Sequence, residues 1–221
     1  MAHAPAPPRK GSIGAMKTPR YWKRAARELS ERDAVIRKIV LATPGLALRS
    51  RGDAFATLAR AIVGQQISLK AADSVWLKFN GAVHTITPHA VHKHNADLLR
   101  ACGLSQGKVT YLKDLAHHFL EKKLAPDRWE EMSDDELIAE LTQVKGIGRW
   151  TAEMFLIFHM TRPNVFPIAD LGLQKAMSLH YNKGKPLSQR KIKNIEQNWQ
   201  PWRSVATWYM WRSLDPVPVE Y

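Results

Sequence analysis

The sequence is poor in cysteine and has no long apolar run. Cys102 is the one cysteine among 221 residues, which excludes an internal disulfide and any four-cysteine zinc or iron–sulfur site. A single thiol is typical of a reducing compartment, and we expect Cys102 to be a small, partly buried apolar residue. No apolar run approaches the length that spans a bilayer, and the first residues lack the apolar core of a secretory signal. The sequence therefore predicts an intracellular, cytoplasmic protein without a membrane partner.

Acidic residues are scarce relative to basic ones. Lys and Arg number 33 and Asp and Glu number 20, so the formal net charge is +13. An excess of this size predicts a polyanionic partner, most simply nucleic acid. Part of the charge lies in a lysine-rich loop expected at residues 182–193.

Strand-like alternation of polar and apolar residues is also absent, and apolar residues recur at helical spacing instead. Pattern alone therefore predicts an all-α fold.

Residues 1–17, rich in Ala, Pro and Gly, are expected to form a flexible tail. On the helix expected at 105–120, Lys108 and Lys113 are predicted to be plain surface charge. Four histidines are expected in solvated loop and helix-start positions rather than in a metal site: His84, His89, His92 and His94.

The most informative stretch, residues 133–160, has the pattern of two helices joined by a glycine turn. Ser133 is a candidate N-cap for the first helix, and the second begins at Arg149. Gly146 and Gly148 flank Ile147, which we expect to insert into the core. A helix, glycine turn and helix can point backbone N–H groups at a phosphate. An ordinary helical hairpin would give the same local pattern.

Asp170 stands just before another helical run, after Pro163 and Pro167. An aspartate in such a place can simply cap the helix that follows. It could also project into a cleft beside the hairpin, and the local pattern is compatible with both roles.

Four stretches carry a resemblance to a known family. In chain order they are FATLARAIVGQQIS at 55–68, LTQVKGIGRWTAEMFLIF, FPIADLGLQKA, and WQPWRSVATWYMW at 199–211. They resemble the helix-hairpin-helix (HhH-GPD) DNA glycosylases, and within them the 3-methyladenine DNA glycosylase II (AlkA-like) branch. The resemblance covers the chain from about Tyr21 to about Leu214.

The resemblance implies a two-lobed helical fold with the active-site cleft between the lobes. Some relatives carry an extra N-terminal β domain, but the stretch before Thr18 is too short to form one, so no such domain is expected. One lobe would combine residues 18–52 with 168–221. The other would span 53–167 and contain the helix-hairpin-helix at about 133–160. A monomer would suffice, since flipping one nucleotide needs only one active site. The partner would be double-stranded DNA that contains damaged bases, which places the protein on the nucleoid.

The resemblance also assigns the chemistry. Asp170 aligns with the catalytic aspartate of the family. Trp150 occupies the position of the lysine with which strand-cutting relatives attack the sugar, so a monofunctional enzyme without AP-lyase activity is expected. Trp150, Trp211 and Met154 would line the base pocket. By contrast, Trp199 and Trp208 are predicted to be core residues.

DNA contacts follow in the same way. Gln66, preceded by Gln65, would fill the gap left by an extruded base. The phosphate 3′ to the lesion would meet the hairpin at Lys145, Gly146, Gly148 and Arg149. A monovalent cation, Na⁺ or K⁺, would be held by the backbone carbonyls of Thr142, Val144 and Ile147. No other cofactor is expected.

The expected reaction is excision of alkylated purines in base excision repair, chiefly 3-methyladenine, with 7-methylguanine as a second candidate. Two alternatives remain at this point. One is a glycosylase for deaminated or oxidised bases, which the softer Met154 leaves open. The other is a non-catalytic DNA-binding protein that uses the hairpin as a phosphate clamp.

Overall fold

The computed structural model describes residues 17–50 and 52–215, and the predicted tail lies outside this part except for residue 17. Helices and turns make up the regular structure of the described residues, which contain no strand. The helices are α1 (Trp22–Arg32), α2 (Ala34–Ala42), α3 (Ala54–Gly64), α4 (Leu69–Val83), α5 (Pro88–Lys93), α6 (Ala96–Ala101), α7 (Gln106–Leu120), α8 (Asp134–Leu141), α9 (Arg149–Phe158), α10 (Leu171–Asn182), α11 (Gln189–Trp199) and α12 (Arg203–Leu214). A 3₁₀ turn, Pro126–Arg128, lies between α7 and α8. The predicted all-α fold is confirmed.

Local capping explains where most of these helices begin. The residue before the helix accepts a first-turn backbone N–H through its side chain at nine N-termini, satisfying donors that the helix itself leaves unpaired. These caps are Asp33, Asp53, Ser68, Thr87, Asn95, Ser105, Ser133, Asp170 and Ser188. At Ser133 the capping box is complete, because Glu136 reaches back to the Ser133 N–H at 2.8 Å. The predicted caps Ser68 and Ser133 are therefore confirmed.

The principal helix contacts fall into two sets. In one, α12 packs against α1, α2, α10 and α11, while α1 packs on α2. In the other, α7 packs on α3, α5 and α6, and α3 packs on α4 and α9. We keep the division into residues 18–52 plus 168–221 and 53–167 as a proposal, which this packing supports. Trp199 and Trp208 are buried in the first set, as predicted.

Asp33 ties the N-terminal helices to the C-terminal ones. Its Oδ1 caps α2, and its Oδ2 accepts the Tyr181 hydroxyl at 2.7 Å and the Trp199 indole N–H at 3.0 Å. Burial, reinforced by the Asp33 carboxylate, raises the pKa of Tyr181. Because Tyr181 lies near the end of α10, this network anchors the helix that Asp170 begins.

The prediction that Lys108 and Lys113 are plain surface charge is wrong. Lys108 Nζ donates to the Val63 carbonyl at 2.7 Å, and Lys113 Nζ donates to the carbonyls of His92 and His94. These carbonyls lie at the C-terminal ends of α3 and α5, where a cation is favourable. Burial lowers the pKa of both lysines. Sequence spacing does not show which helix ends pack beside α7.

Two smaller predictions can be compared with the structure. Cys102 is buried, in line with its expected role as a small core residue, and burial raises the pKa of its thiol. The described residues contain no cluster of three or more His, Cys, Asp or Glu side chains that could hold a metal ion. Within the same residues, none of the helices is both long and apolar enough to cross a bilayer.

Candidate active site

Asp170 is held at the start of α10 by three hydrogen bonds. Its Oδ1 accepts the Leu173 backbone N–H at 2.6 Å and the Trp211 indole N–H at 2.8 Å. Its Oδ2 accepts the Trp150 indole N–H at 2.9 Å. The half-buried carboxylate therefore caps its helix and also receives donors from α9 and α12, so the two roles open in the sequence coexist.

Three separate elements bring this constellation together. Trp150 lies in the first turn of α9, directly after the hairpin, and the residue is 38% exposed. Trp211 lies near the end of α12 and stacks on Phe158, with ring centroids 5.7 Å apart and planes 12° apart. Asp170 therefore lies between the exposed indole of Trp150 and the indole of Trp211, which is stacked on Phe158. The three donors restrict the orientation of the carboxylate.

A cleft of about 530 Å³ opens beside Trp150. Its walls include Met154 from α9 and Gln65 and Gln66 from the α3–α4 loop. This volume is within the range of small-molecule sites, roughly 300–1,000 Å³. The predicted pocket residues Trp150 and Met154 thus lie beside both predicted plug residues. Trp211 and Asp170 are not among the residues that line this cleft, and Trp211 is joined to the site through its bond to Asp170 Oδ1.

The two glutamines of the α3–α4 loop point to different partners. Gln65 Nε2 donates to the Gly146 carbonyl of the hairpin at 2.8 Å. Gln66 is exposed and adopts a positive φ of 58°, which is uncommon for a residue other than glycine. Gln66 remains the predicted plug, whereas the side chain of Gln65 links the plug loop to the hairpin.

The hairpin turn separates occupied N–H groups from available ones. The Lys145 N–H donates to Asp114 Oδ2 at 2.8 Å, and the Ile147 N–H donates to the Val144 carbonyl at 3.0 Å. Within residues 17–50 and 52–215, no residue accepts the N–H of Gly146 or Gly148. Gly148 is also the N-cap of α9 and offers no side chain to cap it. Donors at such a helix N-terminus suit an anion.

Close packing makes glycine necessary at position 146. Its φ is 83°, and a Cβ built there would lie 2.2 Å from a ring carbon of Tyr111. At Gly148 the same construction meets nothing within 4 Å. Ile147 is buried, as predicted. The turn is therefore held by the packing of Ile147 in the core and by the contact of Gly146 with Tyr111.

Acidic residues partly neutralise the hairpin cations. Arg149 Nε lies 3.0 Å from Glu153 Oε1, and an Arg149 terminal nitrogen lies 3.6 Å from Asp135 Oδ1. The Glu153 side chain is nearly inaccessible, at 5% exposure, while that of Arg149 remains 66% exposed. Burial raises the pKa of Glu153, opposed by Arg149 and reinforced by the charge of Asp170. Lys145 is exposed on the turn.

The three carbonyls expected to bind a cation lie on the same turn. Thr142 is the C-cap of α8, where carbonyl groups carry the negative end of the helix dipole. The Val144 carbonyl accepts one hydrogen bond, from the Ile147 N–H, which leaves a second lone pair for a ligand. Carbonyl oxygens are hard ligands, so this donor set is compatible with Na⁺ or K⁺.

Sequence reasoning missed several residues that support the site. Asp114 and Tyr111, on α7, hold the hairpin but have no distinguishing sequence pattern. Arg60, in the cleft wall, contacts Asp73 at 2.6 Å and lies over the Trp76 ring at 5.5 Å. Each of these contacts joins residues that are distant in the sequence, so helical periodicity does not predict them.

Comparison with known proteins identifies the family to which the sequence is similar. Residues 59–203 match the HhH-GPD superfamily of base excision DNA repair proteins. DNA-3-methyladenine glycosylase 1 of Schizosaccharomyces pombe is 32% identical over 160 residues, which cover 71% of this chain and 70% of that protein.

Two solved structures share the fold. The Schizosaccharomyces pombe 3-methyladenine DNA glycosylase in complex with abasic DNA has a TM-score of 0.75 at 28% identity, covering 90% of this chain and 100% of that one. A DNA-3-methyladenine glycosidase from Bacillus halodurans has a TM-score of 0.81 at 26% identity, covering 90% and 93%. The chain thus belongs to the HhH-GPD superfamily of base excision DNA repair proteins.

Proposed function

We propose that this protein is a monofunctional DNA glycosylase that excises alkylated purines, chiefly 3-methyladenine, and leaves an abasic site. The observation that carries the proposal is the Asp170 carboxylate held between the indoles of Trp150 and Trp211, at 2.9 and 2.8 Å. A phosphate clamp without catalysis needs neither an oriented carboxylate nor flanking tryptophans. The relatives named as 3-methyladenine glycosylases support the same substrate class.

Asp170 supplies the charge that the reaction needs. Breaking the bond between the sugar C1′ and the base builds positive charge on the sugar ring, as in other glycosidic cleavages. A preorganised carboxylate stabilises that charge without reorienting during the reaction. Because its three donors come from a backbone N–H and two indoles, Asp170 is already oriented before DNA binds.

The cleft suits an electron-poor base. A purine methylated on a ring nitrogen is often cationic, and an aromatic face attracts such a ring by about 0.5–2 kcal/mol. Trp150 offers an exposed indole at the cleft, and Met154 supplies a polarizable wall beside it. An alkylated base is also a good leaving group, so the site needs no separate general acid.

The hairpin would hold the DNA backbone. The free N–H groups of Gly146 and Gly148 supply two donors for one phosphate, and Lys145 and Arg149 add positive charge. A monovalent cation on the carbonyls of the turn would supply further charge to the same phosphate. Since chromosomal DNA is the substrate, we place the protein in the cytoplasm, on the nucleoid.

The first experiment is to incubate the protein with methylated DNA and identify released bases by chromatography. We expect free 3-methyladenine from the wild type and none from Asp170→Asn. Release that persists in Asp170→Asn would refute the catalytic role of Asp170, and strand scission trapped by borohydride would refute the monofunctional assignment. Absence of release with retained DNA binding would favour another lesion, which duplexes with uracil, hypoxanthine or oxidised guanine would identify, or a non-catalytic clamp.

A further inference from the structure

Positive charge is concentrated directly after Asp170. Residues 171–195 contain no Asp or Glu and six Lys or Arg, so this stretch contributes +6 to the total of +13. The six side chains are exposed and belong to α10, α11 and the loop that joins them. We call this surface the cationic face: Lys175, Lys183, Lys185, Arg190, Lys191 and Lys193.

Several cations elsewhere are paired with acidic residues. On α1, Arg24 lies 2.6 Å from Glu28, and Arg27 pairs with Glu31. At the hairpin, Arg149 is paired with both Glu153 and Asp135. The hairpin therefore offers a phosphate two backbone N–H groups, the exposed Lys145 and the paired Arg149. The cationic face differs in that residues 171–195 contain no acidic residue.

The cationic face lies next to the residues that precede and follow Asp170 in the sequence. A shallow groove contains Ile168, two residues before Asp170, together with Arg190 and Lys193 of α11. A second groove contains Leu171, the residue after Asp170, together with Lys175. Ile192 packs near Ile168 around a small cavity, so α11 is seated against the segment that leads to Asp170.

The cleft at Trp150 and these two grooves have no lining residue in common. A DNA strand whose damaged nucleotide reaches Asp170 continues past it in both directions. The hairpin can hold one direction. The lysine and arginine side chains of the cationic face would lie beside the part of the strand that runs in the other direction. There they can neutralise the regularly spaced phosphates of the duplex.

We infer that the cationic face binds the DNA backbone on the side of the lesion away from the hairpin. This inference rests on the proposed function for the presence of DNA, and it adds a second anchor that supplies electrostatic affinity. The uncompensated charge makes this anchor strongly salt-dependent, because each neutralised phosphate releases condensed counterions.

The test compares two triple variants that remove equal charge. One is Lys175→Gln, Arg190→Gln and Lys193→Gln on the cationic face. The control is Lys23→Gln, Lys93→Gln and Lys123→Gln, which are exposed positions on other parts of the chain. Binding of a lesion-free duplex is measured by fluorescence anisotropy over a range of salt concentrations.

Each phosphate contact contributes about 0.9 to the slope of log K against log salt. We expect the slope of the cationic-face variant to fall in magnitude by about 2–3, and that of the control to stay within about 0.5 of the wild type. An equal slope for the wild type and the cationic-face variant would overturn the inference. The face would then bind another polyanion or serve only to keep the protein soluble. Unfolding curves for both variants check that the fold is intact.

A second measurement locates the contact along the DNA. Duplexes that carry an abasic site are shortened from one end or the other. The wild type should lose affinity on trimming one particular end, and the cationic-face variant should be insensitive to that same trimming. Equal sensitivity of both proteins at both ends would also overturn the inference. Failure of base release in the wild type would refute the proposed function without changing either binding result.

Discussion

The indole N–H of Trp150 points at Asp170 Oδ2 across 2.9 Å, although the two residues are 20 positions apart. Trp150 follows the hairpin directly, and Asp170 begins α10. This bond therefore connects the element that would hold the DNA backbone with the carboxylate that would stabilise the sugar. A change in the hairpin can reach the carboxylate through one side chain.

Removing only the indole donor of Trp150 tests this connection. Trp150→Phe keeps an aromatic face but leaves Oδ2 without that hydrogen bond. Bonds to charged groups are worth about 1.5–3 kcal/mol, so the single-turnover rate of base release should fall about 10-fold or more. Trp150→Ala should be slower still, because the aromatic face is lost as well. Equal rates for the wild type and Trp150→Phe would show that this bond does not orient Asp170.

The two roles of Asp170 can be separated. Asn is as good an N-cap as Asp, whereas Ala loses about 1 kcal/mol. We therefore expect Asp170→Asn to keep the cap and to be about 1 kcal/mol more stable than Asp170→Ala. Both variants should abolish base release. Denaturant unfolding and release assays on the same preparations check this, and activity in Asp170→Asn would contradict it.

Gly146 and Gly148 form a matched pair. Gly146→Ala must place a Cβ against Tyr111 and keep a φ of 83°, so it should cost roughly 1–3 kcal/mol and weaken duplex binding. Gly148→Ala meets no atom within 4 Å, and we expect it to cost no more than about 1 kcal/mol as an N-cap change. Thermal unfolding and anisotropy distinguish them. Similar losses in both would mean that contact with Tyr111 does not set the turn.

Substitutions of Gln65 and Gln66 should have different effects on the ratio of lesion binding to undamaged-duplex binding. Gln65→Ala removes the bond to the Gly146 carbonyl and loosens the hairpin, so binding of lesion and undamaged duplexes should weaken by a similar factor. Gln66→Ala should weaken lesion binding more than undamaged binding, because only a flipped base leaves a gap to fill. Competition binding with both duplexes measures the ratio. Equal losses for Gln66→Ala would exclude its role as a plug.

Glu153 should make the stability of the protein depend on pH. Burial raises its pKa above the ordinary 4.5, so the folded state resists its ionisation. The stability it contributes is complete below the unfolded pKa and is lost as pH rises through the higher folded pKa. Relative to the wild type, Glu153→Gln should therefore gain stability as the pH rises above the ordinary pKa of 4.5. Urea unfolding at several pH values checks this, and a constant difference would contradict it.

Local sequence determined much of this protein. The all-α class, the caps at Ser68 and Ser133 and the buried Ile147 depend on residues within a few positions of each other, so spacing and cap chemistry predict them. The candidate roles of Asp170, Trp150 and Gln66 came from motifs contiguous in the chain.

Only the tertiary structure decided which distant groups meet. The bonds from Trp150 and Trp211 to Asp170, from Gln65 to Gly146 and from Asp114 to Lys145 each join residues at least 20 positions apart. The same holds for Lys113, because the packing of α5 on α7 places the C-terminal end of α5 beside its side chain. A hydrogen bond depends on distances of about 3 Å, and helical periodicity assigns a residue to a face without specifying which atom of another helix lies opposite.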